Sequence, residues 1–380
     1  MKKENYKISC FQGMIKDQYL YFVPDNANAV CKLDLITYNV ENITWLDENG
    51  ADTGGKYYSL LLIEDKVVLI PGGAENILVY DLGNKSKTSV KIDCDIEMPD
   101  VSKKAKYFCG FSYGRKIFIL GYKYPVILCF NMPDESPCTT INGKILYSFN
   151  DIHKENIFGF SGGFCRKDDK NYYIAMADER AVLKINAQEE EVERIAFADE
   201  ASIIYGVVKQ KDTMWIFVNQ NKESVLVEWN NQKTTKRRIT VDKQYGEEIW
   251  WWNPIAIEDK LFFFSMNKPI AYVVDTEEGN TRIIQSVKDS IGKIPNIYGK
   301  CLIRVIGEYQ GKILFITIWN KKWYEYDLNK DVVKDIYIGI SDNEYEKRII
   351  NSVRYRLNDS KIITENVDEF KAFLKMVDSN

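Results

Sequence analysis

Histidine is almost missing from this chain: His153 is the only one in 380 residues. A Ser-His-Asp or Cys-His mechanism would have to run through that single imidazole. It stands in Asn150-Asp151-Ile152-His153-Lys154, a polar stretch that reads as a solvated loop, and one imidazole with no His or Cys near it in sequence does not build a transition-metal site. The eight cysteines contain no Cys-x-x-Cys pair, which removes the usual zinc and redox spacings. Several of them fall in strand-like runs, where a reduced Cys behaves as a small hydrophobe. Gly-x-Ser-x-Gly and Asp-x-Asp-x-Asp-Gly are missing too, and Ser161-Gly162-Gly163 lacks the Lys and helix that a phosphate cradle needs. No catalytic residue, metal or cofactor is expected.

Long apolar runs are also lacking. Stretches such as 60–63 and 67–70 fall far short of the ~20 residues that cross a bilayer. Met1-Lys2-Lys3-Glu4-Asn5-Tyr6 is followed by no apolar segment of the secretory kind, so a cytoplasmic protein without a membrane partner is expected. Charge of one sign is scarce: the formal net charge is −4, with Lys and Arg interleaved among Asp and Glu. Such a field recruits no nucleic acid by counterion release. With 45 % apolar and 28 % charged residues, the composition is that of a folded chain.

What is present is a repeat. Units near 11–46, 58–92, 107–145, 160–196, 203–241, 252–285 and 303–338 each read as an apolar run, a polar turn, a second apolar run, a loop, and a third run often closing on Asp. Asp17-Gln18, Asp65-Lys66, Gly114-Arg115, Asp168-Asp169, Lys211-Asp212, Asp259-Lys260 and Gly311-Lys312 sit at the first turn, where residues tolerant of positive φ make tight hairpins. The second and third runs are apolar on nearly every residue, as strands buried on both faces are. Units of about fifty residues with four strands apiece are the sequence sign of propeller blades. The expected fold is all-β, a seven-bladed β-propeller of four-stranded antiparallel blades forming one domain, with an extension at 341–380 that reads as a short hairpin and helix. Gly13, Gly110, Gly163, Gly206 and Gly307 mark first strands, where backbones converge on the axis. A strand at 6–11 pairing with the last blade would close the ring.

Val67-Val68-Leu69-Ile70-Pro71-Gly72-Gly73, followed by Ile77-Leu78-Val79-Tyr80-Asp81, resembles a kelch repeat, with its double Gly after the second strand and aromatic-Asp pair after the third. Tyr324-Glu325-Tyr326-Asp327 looks like the same third strand, and Leu33-Asp34-Leu35-Ile36-Thr37 is similar to quinoprotein-type repeats. The resemblance to these propeller repeats implies the fold. It carries over no catalytic residue, and one His excludes a copper oxidase of the kelch type.

In such a ring the loops between second and third strands gather on one face. They supply Asn26 and Asn28, Tyr122 and Lys123, Arg180, Asn267 and Lys268, and Trp319, a polar and partly planar set suited to a ligand and equally to solvated turns. Arg304 interrupts the apolar run 302–306 and needs a partner or the central channel. In Trp250-Trp251-Trp252, alternate rings point to opposite sides of a strand; they read as wedges between blades, or, if exposed, as stacking platforms with Trp252 near the axis. The expected function is a non-catalytic binding or scaffold module for a protein or peptide. The alternative is an enzyme or receptor for a glycan-like or peptide-like small ligand in the central pocket.

Overall fold

The computed structural model describes residues 7–25, 27–46, 56–93, 107–121, 126–133, 138–148, 165–168, 170–176, 180–196, 203–220, 223–229, 237–242, 251–252, 254–291, 303–318 and 320–346. The strands form seven sheets, at 10–45, 57–93, 107–148, 165–196, 203–242, 255–283 and 303–336, here blades 1 to 7. In each, four strands pair antiparallel from the axis outward, so the protein is a seven-bladed β-propeller.

The turns explain the repeated Asp. After the third strand of blade 1, Asp34 Oδ1 accepts the N–H groups of Ile36 and Thr37 at 2.8 and 3.1 Å. Asp81, Asn186, Asp275 and Asp327 bind the N–H groups two and three residues on in the same way. A short carboxylate or amide thus replaces the backbone acceptor that a tight turn would otherwise lack. Four residues beyond each, Tyr38, Lys85, Glu190, Gly279 and Asp331 take positive φ. The first turns have their own left-handed residues, among them Asp17, Glu64, Gly114, Lys211 and Glu258.

Among the described residues, buried apolar side chains fall into seven clusters, each between two neighbouring blades. Phe111 of blade 3 stacks on Tyr172 of blade 4 with ring centroids 3.9 Å apart. Trp251 enters the seam of blades 5 and 6, and Trp252 that of blades 6 and 7. Cys10, Cys31, Cys109 and Cys129 are buried thiols outside any disulfide, and Cys31 Sγ donates to Asn42 Oδ1 at 3.2 Å. Burial pushes the Cys129 thiol up to about 11.

Three features differ from the reading of the sequence. Blade 3 takes its outer strand from Lys144–Ser148, while Cys138–Asn142 crosses to run parallel along the outer strand of blade 2. The N-terminal strand does not close the ring: residues 7–9 are no strand, and Cys10–Lys16 pairs with Tyr19–Pro24 as the inner hairpin of blade 1. Closure comes from the other end, where Gly339–Ile340 lies parallel to the outer strand of blade 1 and the Gly339 N–H reaches the Tyr38 carbonyl at 2.8 Å. Trp323 Nε1 then donates to the Ile8 carbonyl at 2.7 Å across the seam. A helix at Gln285–Ile291 was not anticipated; Ile284, Val287 and Ile291 pack into the seam of blades 6 and 7. No helix among the described residues is long and apolar enough to cross a membrane. Apart from a helical turn at 342–346, the C-terminal hairpin and helix, like His153, lie outside the described residues.

Candidate functional site

Chain direction places two sets of loops on opposite faces of the ring. One face carries the loops between second and third strands and the points where the chain enters the inner strands; the other carries the hairpin turns. On the loop face, where the last blade meets the first, four side chains come together.

Arg304 lies on the inner strand of blade 7, Ile303–Tyr309, and reaches over blade 1. Its Nη1 donates to Asp25 Oδ2 at 2.7 Å and to the Cys10 carbonyl at 3.1 Å. Its guanidinium carbon stands 4.6 Å from the centre of the Phe11 ring. That ring lies 5.7 Å from the ring of Tyr58, second residue of the inner strand of blade 2, Tyr57–Ile63. The Arg304 and Asp25 side chains are 15 % and 30 % exposed, so the pair is partly withdrawn from water yet reachable. In such a place a charge-assisted bond is firmer than on an open surface.

The supporting residues are backbone and small. Asp25 is held by its own N–H, which donates to the Ser9 carbonyl at 2.8 Å. Gly72, first of the double Gly, lies where any Cβ would run into the Tyr58 ring, so its bareness lets Tyr58 lie against the backbone. Burial first, and then the Asp25 charge, raise the Tyr58 hydroxyl above its ordinary value, with Arg304 partly offsetting them. Cys10, beneath the pair, has its thiol raised by burial and by Asp25 despite Arg304, which leaves it a poor nucleophile. The arrangement offers a cation, an anion, two aromatic faces and a phenol: recognition chemistry, without an activated nucleophile.

Among the described residues that were expected from sequence, Arg304 alone is brought into this group, on the loop side, with Asp25 as the partner its charge required. Trp252 is corrected: it is 2 % exposed, and its Nε1 donates to the Ile303 carbonyl at 2.5 Å, so it has no face to stack on a ligand. Asn28 is likewise buried, its carbonyl accepting the Leu46 N–H at 2.9 Å. Asn267 and Lys268 form a half-buried turn closed by Ser265, whose Oγ donates to Asn267 Oδ1 and accepts the Lys268 N–H at 2.9 Å. Arg180 is exposed at positive φ on the rim of blade 4. Asn26, Tyr122, Lys123 and Trp319 lie outside the described residues. Asp25, Phe11 and Tyr58 were missed. Their signal was positional: Phe11 and Tyr58 stand at the first-strand entries of consecutive units, beside the axis, and Asp25 shares a loop with Asn26.

No family model matches the chain, and no curated protein matches its sequence. Solved structures match in shape. Virginiamycin B lyase from Staphylococcus aureus superposes with a TM-score of 0.55 at 13 % identity, over 84 % of this chain and 95 % of its own. A streptogramin B lyase gives 0.56 at 12 %, over 88 % and 97 %. The Cps50 (Swd1) β-propeller domain of Myceliophteria thermophila gives 0.50 at 9 %, over 86 % and 98 %. At such identities the likeness carries the ring and nothing of the activity.

Proposed function

We propose that this propeller is a non-catalytic recognition module, kelch-like in its repeats, that binds a protein or peptide through its loop face. The observation that carries this is the Arg304–Asp25 pair, 2.7 Å long and stacked on Phe11, joining the first and last blades. Arginine and tyrosine at a partly desolvated centre are what binding hot spots are made of, and a pair held in place beforehand loses little entropy on binding. Arg304 also keeps a buried Nε without a hydrogen-bond partner among the described residues. An idle buried donor costs about 1–3 kcal/mol, and that cost is better understood where an acceptor arrives from outside. For the alternative, a glycan-like or peptide-like ligand in the central pocket, the burial of Trp252 takes away one of the expected stacking surfaces.

The test is a peptide-display selection on the immobilised full chain, with affinities then measured on Arg304→Met and Tyr58→Ala. Selected peptides should bind each variant at least about tenfold more weakly, a loss of ~1.4 kcal/mol. Melting temperatures of the variants should stay within about 3 °C of the parent, so that folding is not what was lost. Peptides indifferent to both substitutions would overturn the assignment of the face, and cleavage or chemical change of a bound peptide would overturn the non-catalytic reading.

A further inference from the structure

The opposite face holds a second opening at the same seam. Toward blade 1, blade 7 turns Ile316, Trp323 and Ile336, which pack with Phe22 and Leu33 in one apolar cluster. Nearer the hairpin turns the same surface becomes polar, because Leu314, Glu325 and Lys334 are cross-strand neighbours. The rung two residues before the turn Asp or Asn is apolar in blades 2, 3 and 6, where Val79, Cys129 and Val273 pack on the next blade. Blade 7 puts Glu325 there, 4 % exposed. A buried carboxylate persists only with partners. Lys312 Nζ lies 3.1 Å from its Oε1, and the Tyr38 hydroxyl of blade 1 donates to its Oε2.

These groups wall a half-enclosed cleft of about 240 Å³ between blades 1 and 7. Leu35, Ile36 and Leu314 give it an apolar side, and Ile36 is 61 % exposed although it is a large aliphatic residue. Both Glu325 oxygens are already engaged, so the glutamate fixes the walls and has no oxygen left idle for a cation. The side chain of Lys334, at the rim, has neither an ion pair nor a hydrogen bond among the described residues. Two lysines against one glutamate leave the lining with a single positive charge. A cleft of about 240 Å³ has the size of a small-molecule site, not of a folded segment.

We infer that this cleft binds a small amphipathic monoanion, an aryl or branched-alkyl carboxylate, with its apolar body on Leu35, Ile36 and Leu314 and its carboxylate at Lys334. A few placed polar groups around an apolar wall are the ordinary makings of a small-ligand site. Because the cleft exists only where the first and last blades meet, a bound acid favours the closed ring by mass action. The site is independent of the loop-face reading and stands or falls separately.

The probes are 3-phenylpropanoate and 4-methylpentanoate, with 3-phenylpropanamide and 3-phenylpropylamine as neutral and cationic counterparts, titrated calorimetrically into the full-length protein. The acids should bind and raise the melting temperature, the amide should bind about fivefold more weakly, and the amine should not bind. Lys334→Gln, an exposed position, should weaken the acids about fivefold, Lys334→Arg should retain them, and Lys91→Gln, an exposed lysine on blade 2, should have no effect. Equal binding of acid, amide and amine would overturn the inference. So would indifference to Lys334→Gln, or no heat from either acid at about 10 mM with the protein folded.

Discussion

Asp34 shows how much a single side chain contributes at the residue scale. Its carboxylate accepts two backbone N–H groups of the turn and the Gln18 amide at 3.1 Å. Burial by itself would raise its pKa, but these donors bring it below the ordinary carboxylate value. Replacing Asp34 with Ala orphans two turn N–H groups and should cost about 1 kcal/mol in chemical denaturation, whereas Asn, which keeps the acceptor oxygen, should cost a few tenths. Equal losses for the two variants would mean that the charge, rather than the acceptor, matters. The Asp at the end of the third strand was legible as a recurring letter; its task, to replace a missing turn acceptor, follows from the repeat once the strand ends are known. Arg304 was legible because a charge inside an apolar run demands a partner. Asp25, 279 positions away in sequence, was not, since nothing local couples them.

At the scale of the element, the inner strands depend on how closely they approach their neighbours. A Cβ on Gly110 would meet the Phe118 carbonyl oxygen at 2.5 Å and Ile70 Cδ1 of blade 2 at 2.8 Å. The first of these is backbone and cannot rotate away, so Gly110→Val should destabilise by about 1–3 kcal/mol or more, with faster amide exchange along Lys116–Gly121. An unaltered exchange pattern would contradict the crowding argument. Glycine in a first strand was read as convergence on the axis; the contacts of 2.6 and 2.5 Å that an added Cβ would make at Gly13 and Gly110 are instead with the second strand of the same blade. The two parallel edge strands, Cys138–Asn142 and Gly339–Ile340, were not readable. An outer strand pairs through its backbone, which every sequence possesses, so which segment joins it is decided by where the chain passes in space.

For the whole molecule, titration sets a stability plateau. Tyr21, Tyr38, Tyr58, Tyr80, Tyr324 and Tyr326 all hold their protons above the ordinary phenol value, chiefly through burial. The native state therefore keeps protons that the unfolded chain releases near pH ~10; this contribution is complete below that pH and lost as pH climbs through the native values. Carboxylates act in the reverse sense. Glu190 is lowered by hydrogen bonds from Lys116 and Lys144, and Asp327 by Lys330, as Asp34 is by its turn. Their contribution is complete above the ordinary carboxylate range of ~4 and lost as pH falls through the lower native values. Calorimetry should find a melting temperature nearly flat from about pH 5.5 to 9, falling on both sides, with the alkaline fall shallower in a Tyr38→Phe, Tyr326→Phe double variant. A single sharp optimum inside that range would contradict it.

The sequence by itself determined the class of the molecule. Period, turn residues and doubly buried strands are local signals repeated seven times, and repetition makes weak local signals add. Those same signals say which residues can face a neighbour, but not which neighbour they meet. The tertiary structure alone decided that the ring is joined by Gly339–Ile340 on the outer strand of blade 1, and not by an N-terminal strand on the last blade, and that Trp252 is a wedge inside a seam. It also decided that Arg304 meets Asp25 on one face while Glu325, Tyr38 and Lys312 meet on the other. The physical reason is closure: joining the first blade to the last brings together residues some 300 positions apart, contacts that exist only once the ring is complete.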